Sequence, residues 1–321
     1  MKNVFVFPGQ GAQKKGMLKE VCEKYPEAMN TVKMAQEISG EPISDYLGEI
    51  EDTELARSDR SQLAITTASL ALVNVLKSKN IEPDMCAGFS LGEFAALCAA
   101  GVVSFEDTIK LVQQRGKIMQ KVCDELAASS NGNQPGMAAV LGLTQEQVIA
   151  AVENLSKEGI AFAANLNSPK QTVISGTAEG LEKAEKLCVE AGCRRFVKLK
   201  VAGPFHSPLM VKAGEEFSKV LEQTTFNNPS KRLFSNVTGK EITTAEEAKK
   251  LAVMHFTNPV HWLEEEAEIA KIIGFESEDC AANNSIFEVG PGSVLSGLWR
   301  DSGYAEHISC TAVNTVESLE L

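Results

Sequence analysis

Residues 85–101 read MCAGFSLGEFAALCAAG, and this stretch indicates how the rest of the chain is organised. The apolar run Met85–Phe89 has the pattern of a short buried strand, and it leads directly into Ser90 and an alanine-rich helix that ends at Gly101. A serine between two glycines at such a junction, in the pattern G-x-S-x-G, is typical of a nucleophile whose hydroxyl projects beyond the sheet. The alternative is a serine that only caps the helix. Because a strand pattern and a helix pattern both flank it, we predict that Ser90 is a nucleophile.

The alternation of strand and helix continues on both sides of this stretch. Lys2–Phe7 is a short apolar run ended by Pro8, and Gln62–Lys79 has the pattern of a strongly apolar helix. Short strand patterns recur near Leu233–Val237 and Ile286–Val289. Such alternation is typical of an α/β fold with a mostly parallel sheet, and we predict that class.

The middle third of the chain has a different order of elements, β-α-β-β-α-β, which is that of a ferredoxin-like module. A polar segment, residues 167–170, separates its two middle strands. We predict that this module is a small subdomain, residues 132–201, inserted into a larger domain made of residues 1–131 and 202–321. The predicted strands are Met137–Leu143, Ile160–Ala164, Gln171–Ser175 and Arg195–Val201, and the predicted helices are Thr144–Leu155 and Ala178–Ala191.

Composition and charge exclude several classes of protein. The 321 residues are 44% hydrophobic and 23% charged, which is the balance of a folded globular protein. A net charge of −12 gives the chain no overall field that would attract nucleic acid or an anionic membrane. No apolar run approaches the roughly 20 residues of a membrane-spanning helix. We therefore expect neither a nucleic-acid partner nor a membrane partner.

The cysteines and the N-terminus indicate the compartment. Eight cysteines show no CxxC pair and no disulfide framework, and the cysteine and histidine spacings offer no metal site. The apolar run at the N-terminus stops at Pro8, which is too short for a secretory signal. We therefore predict reduced thiols, a cytoplasmic location and no bound metal.

A serine nucleophile at neutral pH needs a general base, which is most often histidine. The chain has four candidates, His206, His255, His261 and His307. His206 stands out, because prolines at 204 and 208 exclude a continuous helix or a central strand and place it on a rigid loop after a strand. We predict that His206 is the base. No nearby carboxylate stands out as its orienting partner.

One arginine lies on the apolar side of a long helix. The helix predicted from Ser104 to about Ala128 carries an apolar stripe, and Arg115 projects near the centre of that stripe. A buried guanidinium needs an anion, because an unpaired buried charge is very costly. Two partners are open at this point: an internal carboxylate, or the carboxylate of a substrate held by the fork of the guanidinium.

The glycine loop after the first strand also has two interpretations. Gly9 and Gly11 begin a dinucleotide-binding pattern, but Lys14 stands where its third glycine is required. Alternatively, Gln10 lies at the carboxyl end of a strand, where active-site loops converge, and its backbone amide stabilises an oxyanion.

Several motifs, in this order along the chain, carry a resemblance to one family. They are Phe7-Pro8-Gly9-Gln10-Gly11-Ala12-Gln13, Gly88-x-Ser90-Leu91-Gly92-Glu93, Gln114-Arg115-Gly116, Gly203-Pro204-Phe205-His206-Ser207-Pro208, Asn258-Pro259-Val260-x-Trp262 and Glu288-Val289-Gly290-Pro291-Gly292. The chain closely resembles malonyl-CoA:acyl-carrier-protein transacylases, including the stand-alone acyltransferases of polyketide synthesis. The resemblance runs nearly end to end and implies a large α/β-hydrolase-like domain with a ferredoxin-like insertion.

The resemblance also implies roles for single residues. Ser90 and His206 are implied as nucleophile and base, and the amides of Gln10 and Leu91 as the oxyanion hole. Arg115 is implied as the partner of the malonyl carboxylate.

Further residues of the site carry a weaker resemblance. The backbone carbonyl of His255 stands where the family orients its catalytic histidine. Phe205 has the form seen in malonyl-selective members, and Asn165 and Gln62 resemble polar residues near the family's active site. Phe89 departs from the family, which usually has histidine beside the serine.

The resemblance implies malonyl-CoA as substrate, an acyl carrier protein as partner, no cofactor and a monomer. The carrier is expected to be acidic, so the candidate docking residues are basic: Lys14, Lys15, Arg194, Arg195, Lys198 and Lys200. These side chains are equally well explained as solvated surface charge. Two other functions stay open: a thioester hydrolase with the same serine and histidine, and a non-catalytic nucleotide-binding protein built on the first glycine loop.

Overall fold

The computed structural model describes residues 2–130 and 133–320. These residues form two β-sheets with helices packed around them. The strands are β1 (Lys2–Phe7), β2 (Met85–Gly88), β3 (Gly136–Leu141), β4 (Ala161–Ser168), β5 (Gln171–Gly176), β6 (Arg195–Lys198), β7 (Arg232–Ser235), β8 (Lys240–Ile242), β9 (Asn284–Val289) and β10 (Cys310–Val313).

Fourteen α-helices lie in the described part of the chain. They are α1 (Lys19–Lys24), α2 (Pro26–Ser39), α3 (Ile43–Leu47), α4 (Asp52–Leu55), α5 (Ser58–Ser78), α6 (Gly92–Ala99), α7 (Phe105–Ser129), α8 (Gln145–Lys157), α9 (Ala178–Glu190), α10 (Val211–Glu222), α11 (Ala245–Met254), α12 (Trp262–Ile273), α13 (Cys280–Asn283) and α14 (Val294–Asp301). None of them is long and apolar enough to cross a membrane.

The large sheet has the strand order β10-β9-β1-β2-β7-β8. All its neighbouring strands pair in parallel except β7 and β8, which are antiparallel. The predicted α/β class with a mostly parallel sheet is therefore confirmed.

Strand β1 shows why this sheet is buried on both faces. Its alternate side chains Phe5 and Phe7 lie in one hydrophobic cluster, and Val4 and Val6 lie in another on the opposite face. A strand between two helical layers is apolar at every position, whereas a strand with one wet face alternates. The continuous apolar run that predicted a buried strand has this physical cause.

The second sheet is antiparallel and has the order β4-β5-β3-β6. Its strands and the helices α8 and α9 follow one another as β-α-β-β-α-β between Gly136 and Lys198. Thr144 caps α8 with a complete capping box to Gln147. The predicted division of the chain at residues 131 and 132 lies outside the described residues.

Several predicted element bounds differ from the structure, and three of them differ by three or four residues. Strand β4 runs on to Ser168, because Asn165 and Leu166 still pair with β5 past a register shift and only a two-residue turn follows. Strand β6 ends at Lys198, whereas the predicted strand extends to Val201. Helix α5 begins at Ser58, where the amide of Ser58 donates to Gln120 of α7, a tertiary contact that no local pattern reveals.

Candidate active site

Ser90 lies on a sharp turn between β2 and α6 at the carboxyl edge of the large sheet. Its φ is 51°, in the left-handed region that a side chain other than glycine rarely adopts. The flanking glycines are required by close contacts: a Cβ on Gly88 would lie 2.1 Å from the carbonyl carbon of Gly92, and one on Gly92 would lie 2.0 Å from the Phe7 oxygen. The turn therefore folds only with glycine at both positions, and it turns the serine out from the sheet.

His206 faces Ser90 from a separate loop. Its Nε2 lies 2.7 Å from the Ser90 Oγ, and its Nδ1 lies 2.8 Å from the backbone oxygen of His255. A carbonyl only accepts hydrogen bonds, so Nδ1 carries the proton and Nε2 offers its lone pair to the Ser90 hydroxyl. The orienting partner that the residues alone left open is thus placed as a backbone carbonyl.

The loop that holds His206 is itself tightly bound. His206 has a φ of 56°, and the neighbouring Ser207 hydroxyl donates to the Pro204 oxygen at 2.6 Å. The Ser175 hydroxyl of β5 donates to the carbonyl of Phe205. A side chain of the small sheet therefore fixes the backbone immediately before the histidine.

Burial keeps the His206 imidazole neutral. Desolvation first, and then the positive electrostatic influence of His255 and Arg115, lowers the pKa of His206 from 6.5 to about 3. A neutral imidazole at pH 7 is ready to take a proton from a serine hydroxyl.

Two backbone amides near Ser90 are free to bind an oxyanion. Leu91 follows the serine at the start of α6, and Gln10 lies in the loop after β1, the strand beside β2. Within the described residues, neither of these N–H groups donates a hydrogen bond to another residue. The Gln10 side chain lies 3.3 Å from the Ser58 hydroxyl and 3.4 Å from the Ala56 oxygen, and these contacts hold the loop in place. Free amides at a helix N-terminus suit a developing negative charge.

Arg115 is buried on α7. Its side chain is 1% exposed, and its Nη1 donates to Gln62 Oε1 at 2.9 Å. Among the described residues, the Nε of Arg115 has no hydrogen-bond partner. No carboxylate within residues 2–130 and 133–320 forms an ion pair with this guanidinium, so the internal salt bridge left open above is not made by those residues. Its pKa is lowered by burial to about 10, so the group stays charged at pH 7.

Two aromatic rings pack against the guanidinium, which has no carboxylate partner among the described residues. Its carbon lies 5.4 Å from the ring centre of Phe94 and 5.2 Å from that of Phe256. Arg115 and His206 line the same small cavity, together with Phe205. The guanidinium and the imidazole of His206 are thus neighbours in one cavity.

The remaining candidates are Gln62, which contacts Arg115, and Asn165, which forms no hydrogen bond to Arg115. Gln62 touches Arg115 directly and donates its amide to the Met119 sulfur at 3.2 Å. Asn165 lies on β4 and forms an isolated bridge to Val260, but its side chain makes no hydrogen bond to Ser90, His206 or Arg115.

Phe89 fills the space beside the nucleophile with apolar contacts. Its ring packs edge-to-face on Trp262 at 5.6 Å, and a Cβ on Gly9 would lie 3.2 Å from it. The side chain next to Ser90 is therefore a packing group in this chain.

The candidate docking residues are surface groups. Arg194, Arg195, Lys198 and Lys200 are exposed along the edge strand β6 and its flanks. Lys15 forms an ion pair with Glu51 at 2.5 Å. No group of three or more potential ligands that could hold a metal ion occurs in the described ranges.

Sequence reasoning missed Asn236 and gave Glu93 no role. The Ser90 amide donates to Asn236 Oδ1 at 2.5 Å, and Asn236 in turn donates to the Gly88 oxygen at 2.7 Å. Glu93 accepts from the Asn236 amide at 2.8 Å. Asn236 directly follows β7, the strand beside β2, so its place after an apolar strand was the signal that could have revealed it.

Sequence comparison gives one family over most of the chain. The acyl transferase domain family matches residues 4–278. A malonyl CoA-acyl carrier protein transacylase of Bacillus subtilis is 36% identical over 321 residues, which cover 100% of this chain and 96% of that protein. The protein of the same name from Haemophilus influenzae is 35% identical and covers 99% of this chain and 98% of its own length.

Structural comparison agrees. An acyl carrier protein S-malonyltransferase from Vibrio cholerae superposes with a TM-score of 0.90 at 33% identity, covering 100% of this chain and 99% of that one. A malonyl-transacylase in complex with its holo type II PKS acyl-carrier protein superposes with a TM-score of 0.89 at 32% identity, covering 99% and 98% of the two chains.

Proposed function

The chain belongs to the malonyl CoA-acyl carrier protein transacylase family, and we propose that it transfers malonyl from malonyl-CoA to the phosphopantetheine thiol of an acyl carrier protein. The observation that carries the choice of a malonyl group is Arg115, a buried cation that lines a cavity with His206 and whose Nε has no hydrogen-bond partner among the described residues. A carboxylate at the far end of the acyl group completes its hydrogen bonding.

The first half of the reaction forms a malonyl ester on Ser90. His206 Nε2 takes the hydroxyl proton as the Ser90 oxygen attacks the thioester carbonyl, and the carbonyl oxygen becomes an oxyanion. The free amides of Gln10 and Leu91 receive that charge. The carbon–sulfur bond then breaks, and the proton on His206 goes to the sulfur of CoA, which leaves as a thiol.

The second half repeats these steps in reverse with the carrier thiol. His206 removes the thiol proton, the sulfur attacks the Ser90 ester, and the serine oxygen regains its proton as it leaves. In this scheme His206 carries the proton and the amides of Gln10 and Leu91 stabilise the oxyanion. We therefore propose that the protein uses no cofactor and no metal.

The partner and the setting are also proposals. The exposed basic side chains along β6 suit an acidic carrier surface. One chain supplies every proposed catalytic group, which supports a monomer as the working unit. All eight cysteines are free thiols, the state of a reducing compartment, and we propose a cytoplasmic location. We also retain the division into a large domain, residues 1–131 and 202–321, and a small subdomain, residues 132–201.

The rival functions have less support. The relatives reported above are named transacylases and S-malonyltransferases, so they give no support to a thioester hydrolase. A nucleotide-binding protein would leave the 2.7 Å contact between Ser90 and His206 without a use.

Intact-mass measurement of the acyl-enzyme tests the proposal. The purified protein is incubated separately with malonyl-CoA and acetyl-CoA, with Ser90→Ala as the control. We expect a long-lived malonyl adduct on the wild type, its absence from Ser90→Ala, and its discharge when a holo carrier protein is added. An adduct that water removes quickly, or one that forms better from acetyl-CoA, would favour the hydrolase.

A further inference from the structure

One carboxylate oxygen connects the nucleophile's backbone with the partner of the base. Glu93 Oε2 accepts the Nε2 proton of His255 at 2.8 Å and the backbone amide of Asn236 at 2.8 Å. Glu93, His255 and Asn236 are each 1% exposed, so water does not compete for these bonds.

Glu93 is connected in this way to both members of the catalytic pair. Asn236, which Glu93 binds, accepts the Ser90 backbone N–H on its Oδ1 at 2.5 Å and so supports the left-handed backbone of Ser90. Through His255, Glu93 holds the backbone oxygen that lies 2.8 Å from His206 Nδ1. With the 2.7 Å contact between Ser90 and His206, the hydrogen bonds form a closed ring that we call the Glu93 ring.

The imidazole of His255 is not explained by packing alone. Its Nδ1 is buried and has no hydrogen-bond partner in the part of the chain that the structure describes, and an apolar side chain would avoid that cost. The interaction gained in return is the bond from Nε2 to Glu93.

We propose that the side chains of Glu93 and His255 are positioning residues, which set the distance and orientation between Ser90 and His206 through the Glu93 ring. The inference rests on the proposed function, because it assigns what aligns that catalytic pair. It gives the His255 side chain a role beside that of its backbone carbonyl.

Charges around the ring are consistent with this arrangement. Asn236 Nδ2 also donates to Glu265 Oε1 at 2.6 Å. Burial, followed by the negative charge of Glu93, raises the pKa of Glu265 well above its ordinary value. At Arg115, the charge of Glu93 opposes the lowering of the guanidinium pKa by burial.

The experiment measures the rate of acyl-enzyme formation at saturating malonyl-CoA by rapid quench and intact mass, per folded molecule. The variants are His255→Leu, which removes the imidazole and keeps the carbonyl, His255→Gln, which restores an N–H donor, and Glu93→Gln. Glu266→Gln is the matched control, since Glu266 is also 1% exposed but accepts hydrogen bonds from Trp262 and Ser302, which are not part of the ring.

We expect His255→Leu to slow acylation about 10- to 100-fold, the loss that a misplacement of about 1 Å causes, with the half-saturating malonyl-CoA concentration unchanged. His255→Gln should regain most of the rate. Glu93→Gln combined with His255→Leu should be no slower than the slower single variant, because both changes break the same ring.

Three results would overturn the inference: a wild-type rate per folded molecule in His255→Leu, a His255→Gln variant no faster than His255→Leu, or fully multiplicative losses in the double variant. A fall in rate of the same size in Glu266→Gln would also overturn it. Failure of the proposed function is separate, because it would appear as a wild-type protein that forms no malonyl adduct on Ser90.

Discussion

The two sides of the site differ in how completely their polar groups are paired. On the side of Ser90 and His206, the imidazole nitrogens and the serine amide have partners within the protein. On the side of Arg115, a buried guanidinium has one amide partner and a free Nε. Buried polar groups are normally satisfied, so we propose that the side of Arg115, which we call the unpaired side, receives the acyl carboxylate. On the side of Ser90 and His206, the amides of Gln10 and Leu91 are free and are proposed to receive the oxyanion.

The first way to break this comparison is to remove the base. His206→Ala leaves Ser90 without a proton acceptor, and we expect the transfer rate to fall by a factor on the order of 10⁶, as when one member of a catalytic unit is lost. The transfer assay with holo carrier protein checks it. The double variant Ser90→Ala with His206→Ala should be no slower than either single one, and a further large fall would mean that the two act independently.

Arg115→Ala should have a smaller and selective effect. It removes the cation that receives the malonyl carboxylate, so we expect kcat/KM for malonyl-CoA to fall about 10²-fold while relative transfer of acetyl rises. Competition between malonyl-CoA and acetyl-CoA measures the ratio. Arg115→Lys should recover little, because a point charge does not replace the planar fork. Unchanged malonyl preference in Arg115→Ala would show that the unpaired side is not a carboxylate site.

The pH dependence distinguishes the two sides in another way. Because the pKa of His206 is lowered to about 3, kcat/KM for malonyl-CoA should stay level as the pH falls through 6.5, the ordinary pKa of histidine. The Arg115→Ala variant removes one cause of the lowered His206 pKa, so the fall of kcat/KM at acid pH should move to higher pH. A wild-type kcat/KM that falls with a midpoint near pH 6.5 would contradict this.

Folding has to be monitored in the same pH series. The unfolded chain takes up the His206 proton near pH 6.5 and the folded chain only near 3, so stability falls as the pH drops below 6.5. Circular dichroism at each pH separates loss of fold from loss of rate.

The smallest effect concerns a buried acid outside both sides. Burial raises the pKa of Glu266 from 4.5 to about 8, so its contribution to stability is full below 4.5 and is lost as the pH rises through 8. Glu266→Gln mimics the protonated form, and we expect the melting temperature to depend less on pH over this interval. Melting curves of the two proteins check it, and identical slopes would contradict it.

Most of the fold could be predicted because its signals are local. The continuous apolar runs of β1 and β2 and the glycines around Ser90 are patterns within a few residues of sequence, even though the contacts that require them, such as that of Gly92 with Phe7, come from distant residues. The bounds of β4 and α5 could not be predicted, since they depend on pairing with β5 and on a contact from Gln120.

The residues of the candidate site also differ in whether a local sequence pattern could predict them. Ser90, His206 and Arg115 each carry a recognisable local pattern, and the geometry brings His206 close to Ser90 and into one cavity with Arg115. The contacts of Asn236 and Glu93 join residues more than a hundred positions apart, so no local spacing predicts these contacts, although the place of Asn236 after an apolar strand marked it as a candidate.

The most direct test of the difference between the two sides is a crystal structure of the malonyl-enzyme. We expect the ester on Ser90 Oγ, its carbonyl oxygen on the amides of Gln10 and Leu91, and the free carboxylate about 2.8 Å from two nitrogens of Arg115, including the Nε that now has no partner. A malonyl carboxylate that points to solvent, with Arg115 bound only to Gln62, would contradict the claim that the unpaired side exists to receive it.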